Sequence, residues 1–163
     1  MAVIKNITAS IVIYKEDSSE LQNTINSFLN CISSHKLFIV DNSPTKSLKE
    51  IIRKDNIEYI FSEKNIGFGS GHNSILEKLT EESEYHLILN PDVVFEPQIL
   101  CKLIEELEIR TKISMIAPKV VYPDKSIQFT ARKYPTILEL ACRFLGIFKN
   151  YTAKKEYKDQ DLQ

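Results

Sequence analysis

Three groups of residues in this 163-residue chain could do chemistry together. Asp92 follows the apolar run Leu87-Ile88-Leu89 and closes the tripeptide Asn90-Pro91-Asp92. Pro91 has no backbone donor and biases Asn90 toward an extended conformation, so Asp92 is presented just past the end of the run. A carboxylate there can hold one side of a Mg2+ or Mn2+ ion whose remaining ligands are diphosphate oxygens and water. The same tripeptide also reads as a plain turn, with Asp92 capping the next helix. Asp41 ends a second apolar run, Leu37-Phe38-Ile39-Val40. It can accept a hydrogen bond from a base N–H or a ribose hydroxyl, or simply cap the loop that follows it. The chain has four glycines, and Gly67, Gly69 and Gly71 fall within the segment Ser62 to Asn73. They allow a flat base or sugar to approach the backbone, or they shape a turn. His72, beside them, reads as a surface or helix-start residue before it reads as a catalytic base. Combined, the groups describe a site for a nucleoside diphosphate, in which a bridging cation makes the diphosphate a better leaving group.

The elements that must position these groups alternate. Ile7 to Tyr14 is rich in β-branched residues and reads as a first strand. Asp17 and Glu20 have helix-start spacing, and Leu21, Ile25, Phe28, Leu29 and Ile32 recur on one helical face. Leu37 to Val40 is a second strand. Ser47 and Glu50 have capping-box spacing before a short helix through Arg53. Ile57 to Phe61 is a third strand, and Ile75, Leu76 and Leu79 predict a helix capped by Asn73 or Ser74. Leu87 to Leu89 reads as a strand buried on both faces. Pro97 opens a helix whose inner face is Ile99, Leu100, Leu103, Ile104 and Leu107. Ile113 to Ala117 suggests a fifth strand, and Pro123-Asp124-Lys125 a hairpin turn between 120–122 and 127–130. Strands alternating with helices predict an α/β fold with a mostly parallel sheet. The loops after its strands then share one edge and can line one cleft.

Thr136 to Phe148 is apolar around most of a helix, and such a helix should be covered. The polar tail 149–163 is expected to be poorly ordered, so a single domain is drawn as 1–148. A net charge of −1 gives no field that favours nucleic acid. Three widely spaced cysteines, Cys31, Cys101 and Cys142, suit a reducing compartment, and a cytoplasmic location is expected. Gly67-Phe68-Gly69-Ser70-Gly71 lacks the third glycine of a dinucleotide-binding fingerprint at its required spacing and follows the third strand, which argues against that fold.

The ordered set Ser10 to Tyr14, Val40-Asp41-Asn42-Ser43, Asn65 to Asn73 and Leu89 to Val93 resembles the family 2 inverting glycosyltransferases. The resemblance is closest to the rhamnosyltransferase-like group of O-antigen and related polysaccharide synthesis. Ala117-Pro118-Lys119-Val120, Tyr122-Pro123-Asp124 and Arg132 to Thr136 carry the same likeness, which spans about residues 7 to 148. It implies a GT-A, Rossmann-like fold and a nucleotide-sugar donor, with dTDP-rhamnose the first guess. It also implies a lipid-linked saccharide acceptor at the cytoplasmic membrane face. Tyr14 would lie beside the base and Asp41 would hydrogen-bond it. Asn65, Gly67, Gly69 and Asn73 would complete the pocket. Asn90 and Asp92 would stand at the family's metal motif, with Asp92 as ligand of Mg2+ or Mn2+. Family members continue into a second half that carries the acidic general base. The resemblance therefore implies that the base, and the cover for 136–148, lie in a missing half or a partner chain. A non-catalytic nucleotide-sugar-binding fragment is the alternative. A membrane-apposed module, using Arg143, Lys149, Lys154, Lys155 and Lys158, is a further one.

Overall fold

A computed structural model describes residues 6–31, 35–46, 48–49, 55–79 and 83–128, together with Ile137 and Phe144. The expected helix from Ser47 to Arg53 lies largely outside the described residues, as do the tail and most of 136–148. Ile137 and Phe144 are helical and almost wholly exposed.

β1 (Ile7–Ile13) is buried along its whole length because it is flanked on both sides. It pairs in parallel with β2 (His35–Asp41) on one side and with β4 (Tyr85–Leu89) on the other. β3 (Ile57–Phe61) pairs in parallel with β2, which gives the order β3-β2-β1-β4. Alternation along β1 divides the core between the two faces of the sheet. Ile7, Ala9, Ile11 and Ile13 pack with Leu21, Ile25 and Phe28 of α1 (Ser18–Leu29) and with Leu100 of α4 (Pro97–Ile109). Val12 turns the other way, toward Phe38, Val40 and Ile75.

α1 starts where expected. Asp17 accepts from the N–H groups of Ser19 at 2.8 Å and Glu20 at 3.2 Å. The Ser19 hydroxyl also donates to this carboxylate, and these bonds hold it below the usual carboxylate range. Pro97 opens α4.

Three expectations are corrected. Leu87 to Leu89 is not buried on both faces: Leu89 is buried, but Ile88 is 58% exposed. Among the described residues β4 is the outer strand, with β1 as its one neighbour. The glycine segment is itself helical. α2 (Phe68–Asn73) begins directly after Gly67, and α3 (Leu76–Leu79) is a separate short turn of helix. Ile113 to Ala117 forms no strand, and the side chains of Ile113 and Met115 face solvent.

The chain divides into two compact units at Met115/Ile116. In the second, β5 (Val120–Val121) and β6 (Ile127–Gln128) pair antiparallel, as the turn residues predicted. Lys125 takes a left-handed φ of 68° at that turn. Asp124 accepts from the Ser126 hydroxyl and N–H, at 2.6 and 2.9 Å. No described helix is long and apolar enough to cross a membrane.

Candidate functional site

Strand order decides where a ligand can enter. The chain leaves β1 toward β2 and β3 on one side and returns as β4 on the other. In open parallel sheets ligands bind beyond the carboxyl ends of strands at such a reversal. A cleft of about 450 Å3 lies there, within the first unit.

Four strand-end segments supply its walls. β1 runs out through Val12 and Ile13 to Tyr14 and Glu16. Between those last two, Lys15 takes a left-handed φ of 58° and donates its N–H to Ser43 Oγ at 2.8 Å. That conformation costs on the order of 1 kcal/mol for a residue with a Cβ. β2 contributes Asn42, and the segment after β3 contributes Asn65, Gly67 and Phe68. β4 contributes Asn90, Pro91 and Asp92. Tyr14, Asn65, Gly67, Asn90 and Asp92, all expected at the site, are thus brought to one cavity.

Asp41, Gly69 and Asn73 are not among its walls. Asp41 is fully buried. Its Oδ1 accepts the Ser43 N–H at 2.8 Å, and Oδ2 accepts the Tyr59 hydroxyl. Burial, reinforced by this carboxylate, pushes the Tyr59 phenol far above its ordinary pKa. The Asp41 carboxylate is therefore committed inside the protein, as the loop-capping alternative described. Gly69 is exposed with open space around the position of a Cβ, and Asn73 sits exposed at the far end of α2.

Asn42 stands at the cleft instead. Its Nδ2 donates to the Gly67 carbonyl at 3.3 Å, and its Oδ1 accepts the Ser62 hydroxyl at 2.6 Å. The amide thereby ties the end of β2 to the glycine segment. The Gly67 N–H donates to Asn65 Oδ1 at 2.9 Å, and Gly67 has φ 86° and ψ 164°, a region essentially closed to residues with a Cβ. Gly71 is constrained by space: a Cβ there would meet Val12 Cγ2 at 2.7 Å and Cγ1 at 2.9 Å. Two of the three clustered glycines thus have steric reasons to be glycine.

His72 is neither a surface residue nor at the cleft wall. It is buried behind Phe68, whose ring meets its own edge-on at 4.4 Å between centroids. Its Nδ1 lies 2.7 Å from Ser10 Oγ, which is also 2.7 Å from His86 Nε2. His86 Nδ1 lies 2.8 Å from Thr8 Oγ1, which reaches Ser83 Oγ at 2.8 Å. Burial depresses the pKa of His72, and burial together with His72 lowers that of His86 to about 4. Among the described residues, His72 Nε2 has no hydrogen-bond partner.

The carboxylates at the cleft are Asp92, which is exposed, and Glu16. Among the described residues, no three His, Cys, Asp or Glu side chains converge as a metal cage. Any hard cation at Asp92 would need most of its oxygen ligands from its substrate, the usual arrangement for Mg2+ with phosphates. Sequence reasoning missed Glu16, Asn42 and Phe68. Asn42 was signalled by the period of two along β2, which turns Asp41 to the same face as Leu37 and Ile39.

The protein is 29% identical over 125 residues to the Haloferax volcanii "low-salt glycan biosynthesis hexosyltransferase Agl10". That match covers 73% of this chain and 38% of the relative. A crystal structure of residues 1–349 of S. aureus TarS superposes with a TM-score of 0.53 at 18% identity, covering 65% of this chain and 33% of that one. The expected fold, GT-A with a Rossmann-like parallel sheet between helices, is the one observed. The chain spans 38% and 33% of the lengths of these two relatives. The family model "Glycosyl transferase family 2" matches residues 8–161, nearly the whole polypeptide, and this chain belongs to that family.

Proposed function

We propose that the cleft binds the nucleoside diphosphate of a sugar donor, and that the chain is the donor-binding portion of a glycosyltransferase of glycan synthesis. The observation that carries this reading is the meeting of the β1, β2, β3 and β4 ends on one cavity with Asp92 exposed in its wall. Tyr14 offers a ring face for a base. The segment from Asn65 to Gly67 offers backbone that a base or ribose can approach closely. Asn42, bonded to Ser62 and to the Gly67 carbonyl, would hold the end of β2 and the glycine segment together in the wall. Asp92 would hold Mg2+ or Mn2+ against the diphosphate, with Asn90 beside it as a neutral oxygen donor. A cation bound there would stabilise the charge that builds up on the departing diphosphate.

The donor we favour is dTDP-rhamnose, with a lipid-linked saccharide as acceptor at the cytoplasmic face of the membrane. An inverting transfer needs a base to take the proton of the acceptor hydroxyl. A partner chain or further polypeptide would supply it. Isothermal titration of dTDP and UDP with and without Mn2+ tests the site. The expected result is binding that Mn2+ strengthens, with the metal-dependent part lost in Asp92→Ala. Equal metal dependence in wild type and Asp92→Ala would remove the metal role from Asp92.

A second reading is a nucleotide-sugar-binding module without transferase activity. Sugar transfer from a nucleoside diphosphate sugar by the purified 163-residue chain alone would end that reading.

A further inference from the structure

We propose that Thr24, on α1, is a positioning residue that sets where Asp92 meets its ligand. The inference rests on the donor-site reading of the cleft and adds to it a buried anchor.

α1 is amphipathic, yet its inner face carries two hydroxyls among Leu21, Ile25 and Phe28. Thr24 is fully buried, and Ser27 nearly so. A hydroxyl placed in a core is costly unless it is satisfied. Thr24 has a local acceptor, the Glu20 carbonyl one turn back, but that contact is long at 3.3 Å. Its short bond, 2.7 Å, is donated to the carbonyl of Pro91, 67 residues away. Ser27 donates to the Asn23 carbonyl at 3.0 Å and accepts the Phe95 N–H at 3.4 Å.

These two bonds bracket the segment that carries Asp92. It has no regular secondary structure from Asn90 to Glu96, so no sheet or helix ladder fixes its height. It is held instead by two hydroxyls from α1 and by Val93 and Phe95, which pack on the core. The carbonyl that Thr24 grips belongs to the residue immediately before Asp92. A shift of that peptide plane moves the Asp92 backbone directly. Thr24 itself is not a wall of the cleft. Its action on a ligand therefore passes through the Pro91–Asp92 peptide. Outer partners that orient a metal-binding carboxylate typically matter on the order of 10-fold or more in metal affinity.

The test uses the full chain as wild type, Thr24→Val, which keeps the volume and removes the hydroxyl, and Thr24→Ser, which keeps the hydroxyl. Two readouts are needed. The first is dTDP and UDP affinity with and without Mn2+. Thr24→Val is expected to lose about 10-fold of the Mn2+-dependent affinity while metal-free affinity stays within about twofold. Thr24→Ser is expected to restore most of the loss. The second is amide hydrogen exchange of the ligand-free chain. Exchange between Asp92 and Phe95 is expected to rise in Thr24→Val, while β1 stays protected as in wild type. A Thr24→Val chain with wild-type β1 protection, wild-type exchange at Asp92 to Phe95 and wild-type Mn2+ dependence overturns the anchor. Unaltered binding with raised exchange also overturns it, because the hydroxyl would then hold the segment without positioning the ligand. If Thr24→Val does not fold, Thr24→Ala, which also removes the hydroxyl, carries the same two measurements with the same criteria. A wild-type chain that binds neither nucleotide with Mn2+ overturns the donor-site reading instead, and exchange at Asp92 to Phe95 then decides whether Thr24 anchors the segment.

Discussion

Gly71→Ala adds a single methyl group, and the structure specifies what that methyl meets. It would lie 2.7 Å from Val12 Cγ2, 2.9 Å from Cγ1 and 3.4 Å from Cβ. Comfortable carbon contacts are about 3.5–4.0 Å, so roughly 1 Å must be found. Val12 cannot supply it easily. It is β-branched, stiff at χ1, and presents both methyls to α2. It also sits on the central strand, packed with Phe38, Val40 and Ile75. α2 must therefore retreat from the sheet. Overpacking of this kind costs about 1–3 kcal/mol. Alanine is the better helix former by up to about 1 kcal/mol, which offsets part of it. A net loss of about 1–2 kcal/mol is expected from urea unfolding followed by circular dichroism, as a lower midpoint with an unchanged slope. In a Val12→Ala background the same substitution should cost close to nothing, giving a coupling of about 1 kcal/mol or more. Nucleotide affinity should fall as well, because Gly67 and Phe68, at the start of α2, line the cleft. An equal penalty for Gly71→Ala in both backgrounds would refute the steric argument.

Two further outcomes follow from the geometry. Gly67→Ala forces a Cβ onto φ 86° and ψ 164°, and a loss of about 1–3 kcal/mol is expected in the same urea experiment. Acid should weaken the fold through His86, whose folded pKa of about 4 lies below the ordinary value near 6.5. The unfolded chain binds the proton first, so stability is complete above about pH 6.5 and is lost as pH falls toward 4. A fully buried ring would forfeit roughly 3 kcal/mol across that window, and partial solvation of His86 reduces this to about 1–2 kcal/mol. Urea midpoints at pH 7 and pH 5 measure the loss, and His86→Gln should flatten it.

Much of the first unit was legible from residue patterns. β-branched runs marked β1 to β3, Asp17 marked the start of α1, and Pro97 marked α4. The order of the strands was less accessible, because period and propensity do not say which strand is central. That is why the run at Leu87 read as doubly buried when it forms an outer strand with Ile88 in solvent. The glycine segment read as a loop because glycine disfavours helix. Here close contact with Val12 requires glycine within a helix. At the cleft, Asp92 was readable because a strand end carries it outward, whereas Tyr14 and Asn90 were reached through the family resemblance. Of the two readings left open for Asp41, the period of two along β2 speaks for the loop cap, because it turns the side chain inward with Leu37 and Ile39. The anchoring role of Thr24 depends on a contact 67 residues away, which no local pattern encodes.

The hydroxyl of Ser10 has one proton and two imidazole neighbours. With both rings neutral, it donates to one and accepts from the other, so the two histidines cannot choose their tautomers independently. If Ser10 donates to His72 Nδ1, His86 carries its hydrogen on Nε2, Thr8 donates to His86, and the unpartnered Nε2 of His72 bears a hydrogen. If Ser10 points the other way, every member reverses and that nitrogen becomes a bare lone pair. The row from Ser83 across β1 to α2 thus has two collective polarities. Nitrogen chemical shifts of either ring would report the state of both.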